Sequence, residues 1–426
     1  MKTSPTPQIT FPSLAEKFGT PLFVYDASVM EGTYSALSAA LPDSVDVFFS
    51  LKANPNVTVC ALLNSFGAGA EVSSHTELVT ALRSGVAPED VIFLGPGKDE
   101  RELLACIEAG IHAIVCESLD ELEILDALLA ARGQTDFPVL LRVNPSFGSK
   151  GSGLAMGGKP RQFGIDEAEL RASKSRIAAL RNIRVQGVHA YMGTRFLQHD
   201  DVVNNTRQIL ATAEDLAGHL GFPLETVDFG GGLGVAYFDN EEDLDLDELG
   251  RGLAPVISAF HARNPRCRMI MELGRFLTAL SGTYVVRARY VKDSMGESFV
   301  VADGGTNHHM AAVGVGSFVK RNFPIRHLQR LDDAPQRTYT VTGPLCTPND
   351  VVAKKVQLPE VRPGDLLGIE RSGAYGPTAS PGLFLSHGFP AEVIVRGDQA
   401  YLVRERDSTD DLLAKQHLID IHPVSP

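Results

Sequence analysis

The sequence predicts an α/β protein, a (β/α)8 barrel carrying a second domain of β structure. Three observations point there. Between about residue 45 and residue 275, short β-rich apolar runs alternate with amphipathic stretches of helical length. The 40 glycines and 25 prolines are spread as frequent short turns, with no long linker. After about residue 280 the helical stretches stop and β-branched runs follow one another. Repeated β-α units favour a parallel sheet, and a span of roughly 230 residues suits a closed eight-stranded barrel. The same pattern also admits a doubly wound open sheet.

In chain order, the apolar run Pro21-Leu22-Phe23-Val24-Tyr25 precedes the barrel and is assigned to the β domain. Seven strands are then expected at Val45 to Phe49, Val91 to Leu94, Ala113 to Val115, Pro138 to Val143, Val185 to His189, Thr226 to Phe229 and Met269 to Met271. Helices are expected at Glu100 to Ala109 and Asp120 to Ala131, with Leu119, Leu122, Leu125 and Leu128 forming an apolar face. The acidic stretch Glu241 to Glu248, six carboxylates in eight residues, reads as a solvated loop or helix start. Runs such as Thr283 to Val291 and Ser298 to Val301 predict an antiparallel β domain. The expected division is an N-terminal segment 1–30 joined to the β domain, a barrel at 31–278 and the β domain at 279–426.

Composition bounds the function. A chain of 426 residues, 44% apolar and 21% charged, is long enough for two or three domains with real cores. Its formal charge of −13 repels a phosphodiester backbone, which argues against nucleic acid as a partner. No run approaches the roughly 18 apolar residues of a membrane span, and Met1 to Pro7 lacks the apolar core of a secretory signal, so a cytoplasmic protein is expected. Cys60, Cys106, Cys116, Cys267 and Cys346 are odd in number, without CxxC or metal-ligand spacing, and predict neither a disulfide framework nor a zinc site.

Three motifs can carry chemistry. Lys52 follows the run Phe48-Phe49-Ser50-Leu51, at the strand end where barrel active sites sit. A lysine there can have its amine pKa lowered by desolvation and add to a carbonyl; it can equally be a surface lysine. Gly230-Gly231-Gly232, after Val227-Asp228-Phe229, lets backbone N–H groups approach a phosphate, or makes a plain tight turn. Glu272 and Arg275, again beyond a strand, suit a cationic ring nitrogen and a phosphate, or form a structural ion pair.

Together these motifs resemble the fold-type III pyridoxal-phosphate decarboxylases, the family of diaminopimelate, ornithine and arginine decarboxylases. The resemblance runs through nine motifs in the family's order: Thr20 to Asp26, Ser50 to Asn54, Gly67 to Leu78, Leu141 to Pro145, Gly187 to His189, the triple glycine, Glu272 to Arg275, Gly343 to Cys346 and Gly373 to Gly376. It implies that Lys52 carries the cofactor as a Schiff base and that Glu272 keeps its pyridine nitrogen protonated. The glycine loop, Thr194, Arg275 and Tyr375 match the phosphate cup, and Glu71, Ser74, Glu77, Arg142 and His189 line the pocket. Cys346 matches a cysteine that enters the partner subunit's site and assists proton delivery, which implies a homodimer.

The chain also departs from the family. Tyr191 stands where a second histidine stacks on the cofactor ring. Cys346 is followed by Thr347-Pro348-Asn349-Asp350, whereas ornithine and diaminopimelate enzymes place an acid directly after the cysteine to clamp the distal ammonium. The Arg-Pro-x-Leu-Tyr motif of diaminopimelate decarboxylases is replaced by Asn307-His308-His309 and Arg321-Asn322-Phe323-Pro324. This wording resembles the subgroup acting on conjugated amino acids, such as glutamyl groups on acyl carrier proteins and citrate-linked diaminopropionate in siderophore assembly. His308 and His309 either bind polar groups of such a substrate or are structural, Thr347 and Asp350 are further candidate substrate contacts, and Lys320-Arg321 is a candidate anion contact or an exposed pair. The expected activity is decarboxylation of a conjugated amino acid in secondary metabolism. The alternatives are a diaminopimelate decarboxylase, a racemase, or a non-catalytic homologue that binds a partner protein.

Overall fold

The structure, a computed structural model, describes residues 9–148, 151–313 and 321–419. Met1 to Pro7 and Lys320 lie outside the described residues. The chain packs as two units, one of residues 26–282 with 371–375, the other of residues 1–25, 283–370 and 376–426.

The first unit is a closed parallel barrel. Its strands are β1 (Val45–Ser50), β2 (Gly69–Val72), β3 (Val91–Phe93), β4 (Ala113–Cys116), β5 (Phe137–Asn144), β6 (Ile183–His189), β7 (Thr226–Gly231) and β8 (Arg268–Leu273). Each pairs in parallel with the next, and β8 pairs back onto β1, which closes the ring. The open doubly wound alternative is thereby excluded. Phe48, Ile92, Leu94, Ala113, Val115, Leu140 and Ile270 form one buried cluster, each large side chain contributing about 1.5–3 kcal/mol by leaving water.

Strand β2 is the one the apolar pattern does not reveal. Its sequence Gly69-Ala70-Glu71-Val72 has one β-branched residue and a charge. Glycine is required at its start, because a Cβ on Gly69 would lie 2.6 Å from the Phe48 ring and 2.8 Å from the Asp90 carbonyl oxygen. On the helix Leu119–Ala131 the buried face is Leu122, Leu125 and Leu129 rather than Leu128, as a period of 3.6 rather than 3 requires. The acidic stretch is also less solvated than expected. Glu241 accepts both Arg195 Nη2 contacts, at 2.9 and 3.1 Å, and Asp243 accepts the Ala236 N–H at 2.8 Å. Only from Asp245, which caps the helix Leu246–Arg263, does the expected helix start begin.

The second unit is a sheet ordered Val351–Leu358, Arg337–Thr342, Glu297–Ala302, Gly282–Ser294, Leu22–Asp26, Ala391–Arg396, Gln399–Arg404. The N-terminal strand thus sits inside the C-terminal sheet. The sheet is not wholly antiparallel, since Glu297–Ala302 and Arg337–Thr342 run parallel. Its core gathers Leu14, Leu22, Val24, Val285, Leu328, Leu366 and Val393.

The two candidate substrate histidines are core residues of this unit. His309 is fully buried, with the rings of Phe23, Tyr284 and Phe323 edge-on around it. His308 Nε2 lies 2.9 Å from the Gly388 carbonyl oxygen and Nδ1 3.1 Å from the Tyr284 hydroxyl. Burial holds both imidazoles neutral, pushing His308 down to about 4 and His309 to about 3. Asp350 is buried as well, and its carboxylate accepts from the Thr306 and Leu345 N–H groups, both at 2.8 Å, and from the Thr306 hydroxyl at 3.0 Å. All three side chains are thus enclosed in this unit, with the His308 ring and the Asp350 carboxylate bonded to its loops.

His112 at the start of the barrel strands behaves alike, since burial and the Arg268 guanidinium push it down to about 4. A histidine whose folded pKa lies below its unfolded value of about 6.5 leaves the unfolded chain binding more protons. Its contribution is complete above about pH 6.5 and is lost as pH falls towards 4. His112→Gln, which can still meet the Thr226 hydroxyl that His112 Nε2 contacts at 3.0 Å, is expected to flatten the acid loss of stability by about 1.4 kcal/mol per pH unit. Urea unfolding of both proteins at pH 7, 6 and 5 measures this, and parallel curves would contradict it.

Candidate active site

The C-terminal ends of β1, β2, β6, β7 and β8 bring one ionisable residue each to the barrel mouth. Lys52 lies in the single turn Leu51–Ala53 that follows β1, and its Nζ donates to Glu71 Oε2 on β2 at 2.8 Å. Ser73 Oγ donates to the other Glu71 oxygen at 2.9 Å, so this fully buried carboxylate has a donor on each oxygen. Burial alone would lower the Lys52 pKa, as expected from sequence, yet the carboxylates of Glu71 and Glu272 outweigh it and raise the amine above its ordinary value. Lys52 is therefore an ammonium ion here, not a desolvated amine.

Glu272 ends β8, with His189 Nε2 at 3.3 Å from its Oε1 but out of line for a hydrogen bond. Asp228 on β7 completes a buried trio, with one polar atom from each residue within 4.8 Å of the others. Burial pushes the Glu272 carboxyl up, but His189 and Lys52 pull it down to about 2. Asp228, desolvated and facing Glu272, is held well above the usual carboxylate range. Tyr191 follows β6 with its ring centroid 5.8 Å from Lys52 Nζ, and burial raises its hydroxyl to about 12. Glu77, whose carboxylate accepts the Ser73 N–H at 2.8 Å, is raised to about 7 by burial and by Glu71.

Arg275 follows β8. Its Nη1 donates to the Tyr237 hydroxyl at 3.0 Å, its guanidinium lies 4.6 Å from the Tyr375 ring centroid, and its buried Nε has no hydrogen-bond partner. Tyr375 reaches the barrel because the segment 371–375 is pinned there, the Tyr375 N–H donating to the Ala53 carbonyl at 2.7 Å. The glycine turn has a packing reason as well as a chemical one. Gly230 and Gly232 are left-handed, and a Cβ on Gly232 would lie 2.1 Å from the Gly193 carbonyl oxygen. Thr194 follows that glycine.

Two expected pocket residues have other partners. Ser74 caps the helix His75–Arg83 by accepting the Glu77 N–H. Arg142 forms a buried ion pair with Glu117 at 2.6 Å. Asp228, Tyr237 and Glu117 are site and support residues that the motif reading passes over. Asp228 had a signal, an acid inside the apolar run Val227 to Phe229, which only a partnered or protonated carboxyl tolerates. Cys346 is the exposed one of the five cysteines, and the Thr347 hydroxyl accepts the Asn349 N–H at 3.3 Å.

The unmet groups define a ligand. A buried guanidinium donor calls for an anion, a buried ionised carboxylate for a cationic partner, and a primary amine at a barrel mouth for a carbonyl. One molecule carrying a phosphate, a pyridine nitrogen and an aldehyde meets all three, so the residues fit pyridoxal phosphate. The comparisons agree. The pyridoxal-binding domain of the pyridoxal-dependent decarboxylases matches residues 28–279. An L-glutamyl-[BtrI acyl-carrier protein] decarboxylase of Niallia circulans is 36% identical over 415 residues, covering 96% of each chain. A diaminopimelate decarboxylase of Pseudomonas aeruginosa is 32% identical over 408 residues, covering 95% of each. The crystal structure of a diaminopimelate decarboxylase from M. jannaschii with L-lysine superposes with a TM-score of 0.86 at 26% identity, covering 96% of this chain and 94% of that one. With this barrel, this donor set and these relatives, the chain belongs to the pyridoxal-dependent decarboxylases of fold type III.

Proposed function

We propose that this decarboxylase acts on an amino acid whose side chain is joined to a larger acid or carrier, in secondary metabolism, with a glutamyl group on an acyl carrier protein as the nearest type. The observation that carries the reading is Thr347. The position after Cys346 holds no acid, and the next acid, Asp350, is saturated by the donors of Thr306 and Leu345. The loop thus offers no carboxylate to a distal ammonium, and a conjugated side chain has none. The similarity to the glutamyl-carrier-protein decarboxylase supports the same substrate class. A diaminopimelate decarboxylase remains the second reading, favoured by the 32% identical relative.

Pyridoxal phosphate, when bound, supplies a sink for the electron pair left as the Cα–carboxylate bond breaks. The rest falls to the chain. Arg275 and the glycine turn hold the phosphate, with Tyr237 and Tyr375 fixing the guanidinium plane. Glu272, ionised and buried, keeps a proton on the ring nitrogen, which a neutral partner there would not. Lys52 would hold the group through its amine, and Glu71, already its hydrogen-bond acceptor at 2.8 Å, is placed to take the ammonium proton. Tyr191 beside Lys52 and His189 beside Glu272 would border the ring. The exposed Cys346 delivers a proton in the site of a second copy, so the working unit is a homodimer. Among the described residues no helix is long and apolar enough to cross a membrane, and a cytoplasmic setting completes the reading.

CO2 release from a glutamyl carrier protein and citryl-diaminopropionate, run beside free diaminopimelate, ornithine and lysine, tests the substrate class. Release from a conjugate at a kcat/KM at least on the order of tenfold above any free amino acid is expected, and preference for free diaminopimelate would install the second reading. Glu272→Gln is expected to lower kcat on the order of a hundredfold while retaining cofactor, because the lost charge acts on the developing electron pair rather than on binding. An unchanged kcat would remove that role. Mixing Lys52→Ala with Cys346→Ala, each inactive alone, should restore part of the activity if sites are shared between copies, and no recovery in a verified mixed dimer would contradict the sharing.

A further inference from the structure

Around Glu272 the hydrogen-bond bookkeeping is incomplete. Glu272 Oε1 and Asp228 Oδ2 are both buried acceptors with no donor, on side chains whose polar atoms lie within 4.8 Å. The other Asp228 oxygen has one donor, the Gly230 N–H at 2.8 Å. Asp228 and Glu272 are fully and almost fully buried, and Glu71 on β2 adds a third negative charge to the surroundings. Lys52 is committed to Glu71, and His189, with Nε2 3.3 Å from Glu272 Oε1, is out of line to donate to it. Two carboxylates this near each other in a dry setting oppose each other's ionisation, and a proton shared between them would give each orphaned oxygen a partner.

We propose that Asp228 carries that proton and donates it in a hydrogen bond to Glu272, making Asp228 the positioning residue that fixes the carboxylate facing the cofactor ring. The assignment rests on the reading of Glu272 as the ring-nitrogen partner. Registry on the barrel places the two together, since Asp228 pairs with Ile270 and Gly231 with Glu272 across β7 and β8. Two consequences follow for the site. The proton on Asp228 lets Glu272 keep a full negative charge in a dry setting without a second negative charge beside it. The donated hydrogen bond also orients one Glu272 oxygen and leaves the other to meet the ring. The raised Asp228 and lowered Glu272 carboxyls agree with this division.

Infrared spectroscopy of the cofactor-loaded protein reads the proton without substrate. At a pH above the Glu77 titration, the carbonyl band of a buried carboxylic acid should be present in the wild type and missing from Asp228→Asn. Asparagine keeps an acceptor for the Gly230 N–H and a donor for Glu272, so this variant should hold cofactor affinity and kcat within about threefold and leave the pH dependence of the cofactor's visible absorbance in place. Asp228→Leu, with no donor, should shift that absorbance profile and lower kcat on the order of tenfold or more. An unchanged infrared band in Asp228→Asn, or an asparagine variant as impaired as the leucine one, overturns the assignment. If the band is lost as expected while every conjugate fails as substrate, the substrate reading falls and the proton on Asp228 stands.

Discussion

A carboxylate that stays charged in a dry interior is the constraint on which this site is built. Left alone, a buried ion of that kind costs several kcal/mol, and the fold must supply partners or a proton. Barrel closure supplies them. The β8–β1 pairing sets Glu272 beside Phe48, four residues before Lys52, and the β6–β7 register sets His189 directly across from Asp228. No single strand holds the site together. It exists because closure brings β8 back beside β1, so that Glu272 and Lys52 share one rim, a pairing an open sheet that leaves those two strands apart would not provide.

Glu71 shows a second face of the same constraint. It neutralises Lys52 across the β1–β2 pair, and that keeps the lysine protonated in the structure as it stands. The amine is therefore stored as an ammonium ion beside its own proton acceptor. The same logic governs Arg275, whose charge is braced by the faces of Tyr237 and Tyr375 while its buried Nε still lacks a partner. The acidic stretch contributes from outside: Glu241, clamped by Arg195, accepts the Tyr237 N–H at 3.0 Å and so fixes the residue that holds Arg275.

Most of the barrel was legible because parallel strands, buried on both faces, are written as continuous apolar runs. The strand Gly69–Val72 escaped that rule because it packs against the Phe48 ring through a glycine and spends a second position on Glu71. Lys52, Glu272 and Arg275 were legible for the opposite reason, as charges placed immediately after apolar runs. Asp228 lies inside such a run and looks like strand filler until its neighbours are known. His308 and His309 stayed open between a structural and a substrate-binding role because a histidine pair has the same spelling in a core as in a binding site, and the rings of Phe23, Tyr284 and Phe323 around His309 favour the core. The parallel pairing within the C-terminal sheet left no trace in residue pattern, since alternation does not encode strand direction.

The loop after Cys346 shows how a lost charge can inform substrate choice. An acid three residues past Thr347 could in principle replace one directly after the cysteine, and composition alone would accept the exchange. Geometry does not. Asp350 is held by the Thr306 and Leu345 N–H groups and the Thr306 hydroxyl, and Gly305 and Gly343 press so close that a Cβ on either would lie within 2.5 Å of its carboxylate. Turning that carboxylate outward would strip three hydrogen bonds and leave buried donors unpaired, a cost well above the roughly 1 kcal/mol net value of any one of them. Asp350 is thus a pin for the loop, and the missing clamp stays missing. A substrate with a free ammonium at its far end would lose its ion pair there, whereas one ending in an amide or ester linkage loses nothing.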